Sequence, residues 1–392
     1  MTAAGAPEGQ LRFRLSLFYF VYFAMLGAYA PYFGLYLQRL GFDPQQIGLL
    51  LGLVPIVRML FPALWAWVAD HHGNRRLLVK VTTVGATLAC IALLFGTTFS
   101  WLFVTLLVLN MFWCAALPLV EASTFGHLRG RMGDYGRIRV WGSISFILVV
   151  AALGPLLDRT GIGLLPWALL ALFAAMAASA WLLPPDTAAA HPAEHPPLGK
   201  ILLRQEVLVL FAACFFMSLA HGPYNGFYSI YLVDNGYSKT EVGGLWALSV
   251  IAEIVVFLWM PRILARYSIP AVIGFSLLCA VVRFAIIGWA VRYPAIITAA
   301  QLLHAATFGA HHAAALAAVH RIFQGRHQAR GQALYSAAGF GAGGAMGMFA
   351  SGWLWTHVGP GWTFTCGAAA ALAAWLLVAG RLRIPDQSPA AA

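Results

Sequence analysis

Four charged side chains lie in the middle of long apolar runs of this sequence: Arg58, Glu121, Glu253 and Arg283. Placing one charge at the centre of a bilayer costs roughly 2.5–3.5 kcal/mol on insertion scales, so four unpaired charges cost on the order of 10 kcal/mol. The chain must therefore pair or hydrate them, and either solution requires a polar cavity between helices. Charges of this kind are typical of substrate and proton pathways.

The composition favours a membrane protein. The chain has 392 residues, of which 61% are hydrophobic and 9% charged, whereas soluble domains carry about 25% charged residues. This excludes soluble globular domains and disordered chains. The net charge is +11, but the basic residues lie between apolar runs, so we expect no nucleic-acid partner. The five cysteines lie in apolar runs without metal-ligand spacing, so we expect no metal and no cofactor.

Apolar stretches long enough to cross a bilayer occur twelve times. We predict membrane helices near 13–37, 45–69, 77–97, 100–124, 138–157, 163–183, 206–233, 240–260, 270–290, 294–319, 330–356 and 361–380. Apart from Arg58 and Arg283, which lie deep within spans, 18 Lys and Arg residues lie in the loops and span ends of one side and 4 in those of the other. Because basic residues accumulate on the cytoplasmic side, we expect both termini to be cytoplasmic, in the inner membrane of a bacterium.

The two halves of the chain resemble each other. A proline-rich stretch at 184–205 divides it into segments 1–183 and 206–392, each with six predicted helices. With a shift of 195 residues, 27–61 aligns without gaps and nine positions are identical, five of them Gly or Tyr. We therefore predict two pseudo-symmetric six-helix bundles joined by a cytoplasmic linker. The same shift aligns Arg58 with Glu253.

A loop after the second predicted helix resembles a known family motif. Residues 67–76 read W-V-A-D-H-H-G-N-R-R, which is similar to the G-x-L-A-D-R-x-G-R-R loop of the major facilitator superfamily. Ala66 replaces the first glycine, and His71 and Asn74 replace basic residues. The resemblance implies the major facilitator fold and a conformational gating role for Asp70, Gly73 and Arg75.

A second motif narrows this resemblance. Residues 118–122 and 134–143 are similar to the hairpin of helices four and five in the proton-coupled lactose permease group. Over nearly the whole chain, the sequence resembles the 3-phenylpropionate permease branch of that group. The resemblance implies that Glu121 and Arg139 contact the substrate; the alternative is a structural ion pair. An arginine suits an acid substrate, because its guanidinium can bind a carboxylate in two places.

Glu253, Arg283 and His304 match three residues that the lactose permease uses for substrate binding and proton coupling. The sugar permease has a further Glu three residues after the His, where this chain has Thr307. Glu253 and Glu121 are therefore the candidate proton carriers, and an ion pair that forms and breaks between Glu253 and Arg283 would couple protonation to conformation. The alternative is a pair that only joins helices.

The other candidate site residues are predicted only from their positions in the repeat and in the predicted helices. Tyr29 and Tyr224 are matched by the repeat, and we expect them, with Arg58, to contribute to a substrate pocket. His221 precedes Pro223 inside a predicted helix, where a break would expose backbone carbonyls, and its role stays open between binding and packing. We expect the paired histidines 311 and 312 to be structural.

These observations predict a secondary active transporter, and not an enzyme. We expect proton-coupled import of a small aromatic or organic acid such as 3-phenylpropionate, by alternating access in a monomer. A sugar or nucleoside proton symporter and a proton-driven drug efflux pump are the alternatives. The expected partners are a small-molecule substrate, protons and the lipid bilayer.

Overall fold

The computed structural model describes residues 8–128, 132–185 and 199–384. These residues form helices and connecting turns, without a β-strand in the described ranges. The first six spans are α1 to α6: Glu8–Arg39, Pro44–His72, Arg75–Ile91, Phe99–Leu128, Met132–Thr160 and Leu165–Trp181. Their bounds lie close to those predicted, so the all-helical fold class is confirmed.

The last six spans include three that are not regular throughout. Span α7 comprises Gln205–Ala220 and Gly222–Asp234, α8 is Lys239–Arg266, α9 is Ile269–Trp289, and α12 is Pro360–Arg381. Span α10 runs through Pro294–Leu302, a π-helical segment Ala305–Ala310 and His311–Ile322. Span α11 comprises Gln328–Ser336, a π-helical segment Ala337–Gly343 and Gly344–His357.

Eleven helices of the described chain are long and apolar enough to cross a membrane. The one predicted span that does not meet this criterion, 330–356, corresponds to α11, which is helical but carries a run of glycines. Span α7 is interrupted at His221, and Pro223 lies in the first turn of its second half. Proline fits there because the first turn of a helix leaves its N–H groups without helical partners anyway.

The contacts divide the chain into two compact units. Unit 1 contains Met1–Phe42, Leu60–His191 and Ser238–Ala247, and unit 2 contains Asp43–Met59, Pro192–Tyr237 and Leu248–Ala392. They follow the predicted halves except that α2 and α8 each contribute to both. Most of the linker at 184–205 lies outside the described residues, so the domain boundary stays a prediction.

In unit 1, α1 packs against α5 and α6, and α3 packs against α4 and α6. The first turns of α8 also belong to this unit. Gly243 permits this contact, because a β-carbon there would overlap the backbone carbonyl of Val150. In unit 2, α9 packs against α12 and α10, and α7 packs against α11 and α12.

The amino end of α8 is capped from two directions. Ser238 and Glu241 form a reciprocal capping box, in which the Ser238 amide donates to the Glu241 carboxylate at 2.7 Å. Asp158 of α5 accepts the amides of Lys239 and Thr240, both at 2.9 Å, and the Thr240 hydroxyl at 2.6 Å. The free N–H groups of α8 therefore hold it against α5.

We predict that Asp158→Ala loosens this attachment. Losing an N-cap costs about 1 kcal/mol, which corresponds to roughly fivefold faster amide exchange at the start of α8. Hydrogen exchange of a peptide covering Ser238–Ala247 measures it. Asp43→Ala is the matched control, because Asp43 caps α2 by accepting the Gln46 amide at 2.8 Å and should change exchange only there. Unchanged exchange in Asp158→Ala would contradict the capping role.

Candidate functional site

Glu121 of α4 is held by a tyrosine from α5. The Tyr135 hydroxyl donates to its Oε1 at 3.2 Å. Phe125, one turn after Glu121, stacks on the Tyr135 ring at 4.7 Å, and the Tyr19 ring of α1 meets it edge-on at 6.4 Å. The carboxylate is therefore positioned by a hydroxyl that aromatic rings fix in place.

Arg139 lies one turn beyond Tyr135 and does not pair directly with Glu121. Among the described residues, no carboxylate oxygen lies within 4.0 Å of its guanidinium. The guanidinium carbon instead stands 3.9 Å from the centre of the Phe23 ring, a cation–π contact. The alternative of a structural ion pair between Glu121 and Arg139 is thus not seen here: Tyr135 donates to Glu121, and the ring of Phe23 lies against Arg139.

Aromatic rings extend from Arg139 along α1. The Phe23 ring contacts Tyr22 at 5.3 Å, Tyr22 contacts Trp113 of α4 at 6.0 Å, and Trp113 contacts Tyr29 at 5.5 Å. Tyr29 is buried and stacks on Phe33 at 4.6 Å. The sequence indicated Tyr29 only; the others are ordinary aromatic residues in sequence, and their common cluster arises from the packing of α1 against α4.

Arg283 of α9 is fully buried in unit 2. Its guanidinium donates to Gln301 Oε1 at 2.9 Å and to Thr307 Oγ1 at 3.2 Å, both on α10. The Tyr224 ring lies 4.1 Å from the guanidinium carbon. Among the described residues, no carboxylate lies within 4.0 Å of this arginine, so its hydrogen-bond partners are neutral.

Glu253 of α8 faces His304 instead of Arg283. Its Oε2 is 3.8 Å from His304 Nε2, and its side chain lies against Gly309 in the π-helical segment of α10. The expected contact between Glu253 and Arg283 is therefore replaced by two separate ones. A physical reason is that Thr307 and Gln301 satisfy two N–H groups of Arg283.

Three further histidines lie in unit 2. His221, at the break in α7, is buried, and its Nδ1 contacts the Met217 carbonyl at 2.8 Å. Its ring centre is 6.4 Å from that of His304. His311 is buried and follows the π-helical segment. His312 Nδ1 contacts the Tyr335 hydroxyl at 2.8 Å, which fits the expected structural role.

The remaining predicted residues are Arg58, Asp70, Gly73 and Arg75. Arg58 is exposed on the part of α2 that belongs to unit 2. Gly73 has φ 63° at the turn between α2 and α3, a left-handed conformation that suits glycine. Arg75 borders a cavity of about 120 Å³ that Trp65 and Pro118 also line. The side chain of Asp70 lies outside the described residues.

Comparison with known proteins shows which family the chain belongs to. The MFS_1 like family matches residues 12–366 of the chain. The chain belongs to this family of the major facilitator superfamily. It is a transporter and not an enzyme, since the proteins similar to it are permeases. In the described ranges, no group of three His, Cys, Asp or Glu residues is arranged to hold a metal ion.

Two relatives show how widely the similarity extends. The chain is 30% identical over 351 residues to the probable 3-phenylpropionic acid transporter of Escherichia coli K12, covering 88% of this chain and 92% of the relative. It is 28% identical over 348 residues to the maltose permease of Geobacillus stearothermophilus, covering 83% of each chain.

Among solved structures, a mutant of the nucleoside transporter NupG superposes with a TM-score of 0.85 at 18% identity, covering 95% of this chain and all of that one. At this identity the likeness shows the fold alone, which is that of a secondary transporter.

We predict that Gln301→Leu destabilises the protein, because it removes a neutral acceptor from a fully buried arginine. A hydrogen bond to a charged group contributes about 1.5–3 kcal/mol, and thermal unfolding of the purified protein should show a loss of that size. The matched control is Gln324→Leu, whose amide only contacts the Arg321 carbonyl in an exposed turn. Equal stability of the two variants would contradict the assigned role of Gln301.

Proposed function

We propose that this transporter imports a small aromatic or other organic acid, such as 3-phenylpropionate, together with a proton. The observation that carries the proposal is the state of Arg139: an intramembrane guanidinium stacked on Phe23 at 3.9 Å without a carboxylate within 4.0 Å in the described chain. The fork-shaped donor edge of such an arginine suits a substrate carboxylate.

The surroundings of Arg139 suit the rest of an aromatic acid. Phe23, Tyr22, Trp113 and Tyr29 form one row of contacting rings, and aromatic surfaces favour a phenyl group in edge-to-face or offset contact. Glu121, held by Tyr135, adds a polar group beside them. The name of the 30% identical relative, a 3-phenylpropionic acid transporter, supports the same substrate class.

For proton coupling we propose Glu253, with His304 as its partner at 3.8 Å. A carboxylate and a protonated imidazole at this distance form a charged pair, and transfer of the proton to the carboxylate makes both groups neutral. The attraction between α8 and α10 therefore changes when protons move. Arg283 contributes a fixed positive charge to the same unit. Glu121 is the alternative proton carrier.

The remaining candidate residues are assigned to substrate binding and gating in a cycle of alternating access. We propose that Arg58 and Tyr224 contribute to substrate binding and that Asp70, Gly73 and Arg75 form a gating loop. We further propose a monomer in a bacterial inner membrane with both termini cytoplasmic, as the distribution of Lys and Arg favours.

A nucleoside symporter is the second candidate function. The resemblance of the fold to NupG and a 26% identity to the nucleoside permease NupG of Escherichia coli favour it. Aromatic rings beside a hydrogen-bonded carboxylate also suit a nucleobase and its ribose. A sugar symporter has the maltose permease relative in its favour.

Uptake into proteoliposomes tests the proposal. Purified protein is given labelled 3-phenylpropionate, uridine or maltose, with and without an inward proton gradient. We expect accumulation of the acid that depends on the gradient. Accumulation of uridine or maltose but not of the acid would contradict the acid assignment. Accumulation that is the same with and without the gradient would contradict proton coupling.

We predict that Arg139→Lys lowers the kcat/KM of acid uptake by roughly tenfold, although it keeps the charge. Lysine lacks the planar fork that stacks on Phe23 and binds a carboxylate twice. Arg137→Lys is the control, since Arg137 is exposed and lies 3.8 Å from Asp134. Equal loss in both variants, at equal protein abundance, would count against a substrate role for Arg139.

We also predict that Glu253→Gln abolishes uphill accumulation while substrate exchange persists, because exchange requires no proton turnover. Counterflow and gradient-driven uptake, measured side by side in proteoliposomes, separate the two activities. Glu121→Gln should instead weaken substrate binding in both assays. If Glu253→Gln still accumulates substrate against a gradient, then Glu121 or the protonated substrate carries the proton.

A further inference from the structure

A small cavity lies between α2 and α4. Its volume is about 120 Å³, and its described lining residues all belong to unit 1. Pro62 and Trp65 of α2 and Ala115 and Pro118 of α4 form apolar walls. An apolar cavity of comparable size, about 150 Å³, takes up benzene in another protein. The cavity between α2 and α4 therefore has room for a single aromatic ring.

The walls of this cavity are fixed in place. The indole N–H of Trp65 donates to the Met111 carbonyl of α4 at 2.8 Å, and the Trp65 ring lies 5.8 Å from that of Phe112. Pro62 and Pro118 are closed onto the backbone, so their side chains do not rotate away. Rigid walls of this kind suit a planar ring better than an alkyl chain, which loses more conformational freedom when it binds.

A single cation borders the cavity among its described lining residues, and it is Arg75. Arg75 begins α3 directly after the α2–α3 turn and is half-buried. In the part of the chain that the structure describes, no carboxylate oxygen lies within 4.0 Å of its guanidinium. An apolar cavity with one guanidinium at its border suits an anion with an apolar body.

We propose that this cavity is a second binding site for a small aromatic acid, with the ring between Trp65 and the two prolines and the carboxylate on Arg75. The identity of the acid rests on the proposed function, because the transported acid is the aromatic acid that reaches this side of the protein. Arg139 does not line the cavity, so a molecule bound here is additional to the one at Arg139.

The bound acid joins helices to the proposed gating loop. Its ring contacts α2 and α4, and its carboxylate holds Arg75, two residues after the turn at Gly73. A ligand stabilises the conformation that binds it at the expense of the others. Alternating access requires several conformations in turn, so occupancy of this cavity slows the cycle. The site therefore inhibits transport when the acid accumulates on the side of the α2–α3 turn.

Equilibrium dialysis of labelled 3-phenylpropionate against the purified full-length protein tests the binding. We expect two molecules per chain in the wild type and one in Ala115→Leu, whose larger side chain fills the cavity. Ala174→Leu is the matched control, because Ala174 is exposed on α6 and does not line the cavity, and it should bind two. Equal stoichiometry in the wild type and Ala115→Leu would overturn the proposal.

Arg75→Gln tests the carboxylate contact without filling the cavity. We expect the affinity of the second site to fall roughly tenfold or more, because a hydrogen bond to a charged group is lost. Arg76→Gln removes the same charge from the same turn, but Arg76 donates to the Trp181 carbonyl at 3.0 Å. This control should retain the affinity of the second site, and equal losses in both variants would overturn the role of Arg75.

Octanoate distinguishes an aromatic acid from an acid with an alkyl chain. We expect it to displace 3-phenylpropionate from the second site only weakly, because the rigid walls favour a ring. Displacement by octanoate at lower concentrations than by unlabelled 3-phenylpropionate would overturn the choice of an aromatic ligand and would indicate a fatty acid or lipid chain.

Initial uptake rates in proteoliposomes, with the protein inserted in both orientations, measure the inhibition. Wild-type uptake should pass through a maximum and then fall as the concentration of 3-phenylpropionate rises, whereas Ala115→Leu uptake should reach a plateau. The same concentration dependence in both proteins would overturn the inhibitory role. If the wild type transports no acid, the proposed function fails, while the dialysis experiment still decides whether the cavity binds an aromatic acid.

Discussion

A charged side chain inside an apolar bundle must obtain from the protein the hydrogen-bond partners that water supplies elsewhere. This constraint explains the surroundings of the intramembrane arginines and carboxylates of the transporter. Arg283 obtains neutral hydrogen bonds from Gln301 and Thr307 and the face of Tyr224. Arg139 obtains the face of Phe23. These contacts hold each guanidinium without cancelling its charge, and we infer that this remaining charge is what selects an anionic substrate.

The two intramembrane carboxylates have other kinds of partner than the two arginines. Glu121 accepts a hydrogen bond from Tyr135, and Glu253 lies near the imidazole of His304. Glu121 therefore sits beside a hydroxyl and Glu253 beside an imidazole, and protonation of either carboxylate changes that contact. In the proposed cycle Arg139 binds the substrate, whereas Glu253 with His304 takes up and releases the proton.

The sequence predicts much of this arrangement, but not the partners of each charge. Apolar length and the Lys and Arg distribution predict the spans, and Pro223 indicates the break at His221. Which atoms meet depends on how each helix is rotated, and periodicity does not specify that. The π-helical segment Ala305–Ala310 changes the register of α10 around Thr307, so spacing alone does not predict how α10 meets Arg283. The contact of Tyr135 with Glu121 depends in the same way on the rotation of α5 against α4.

The affinity of the wild-type protein for an acid and for its neutral isostere tests the central claim most directly. Binding of 3-phenylpropionate and of 3-phenylpropionamide, which match in shape, is measured by calorimetry on the purified protein at one pH. If the intramembrane guanidinium of Arg139 selects the substrate, the acid binds roughly 30-fold more tightly or better. Equal affinity for the acid and the amide would contradict the account.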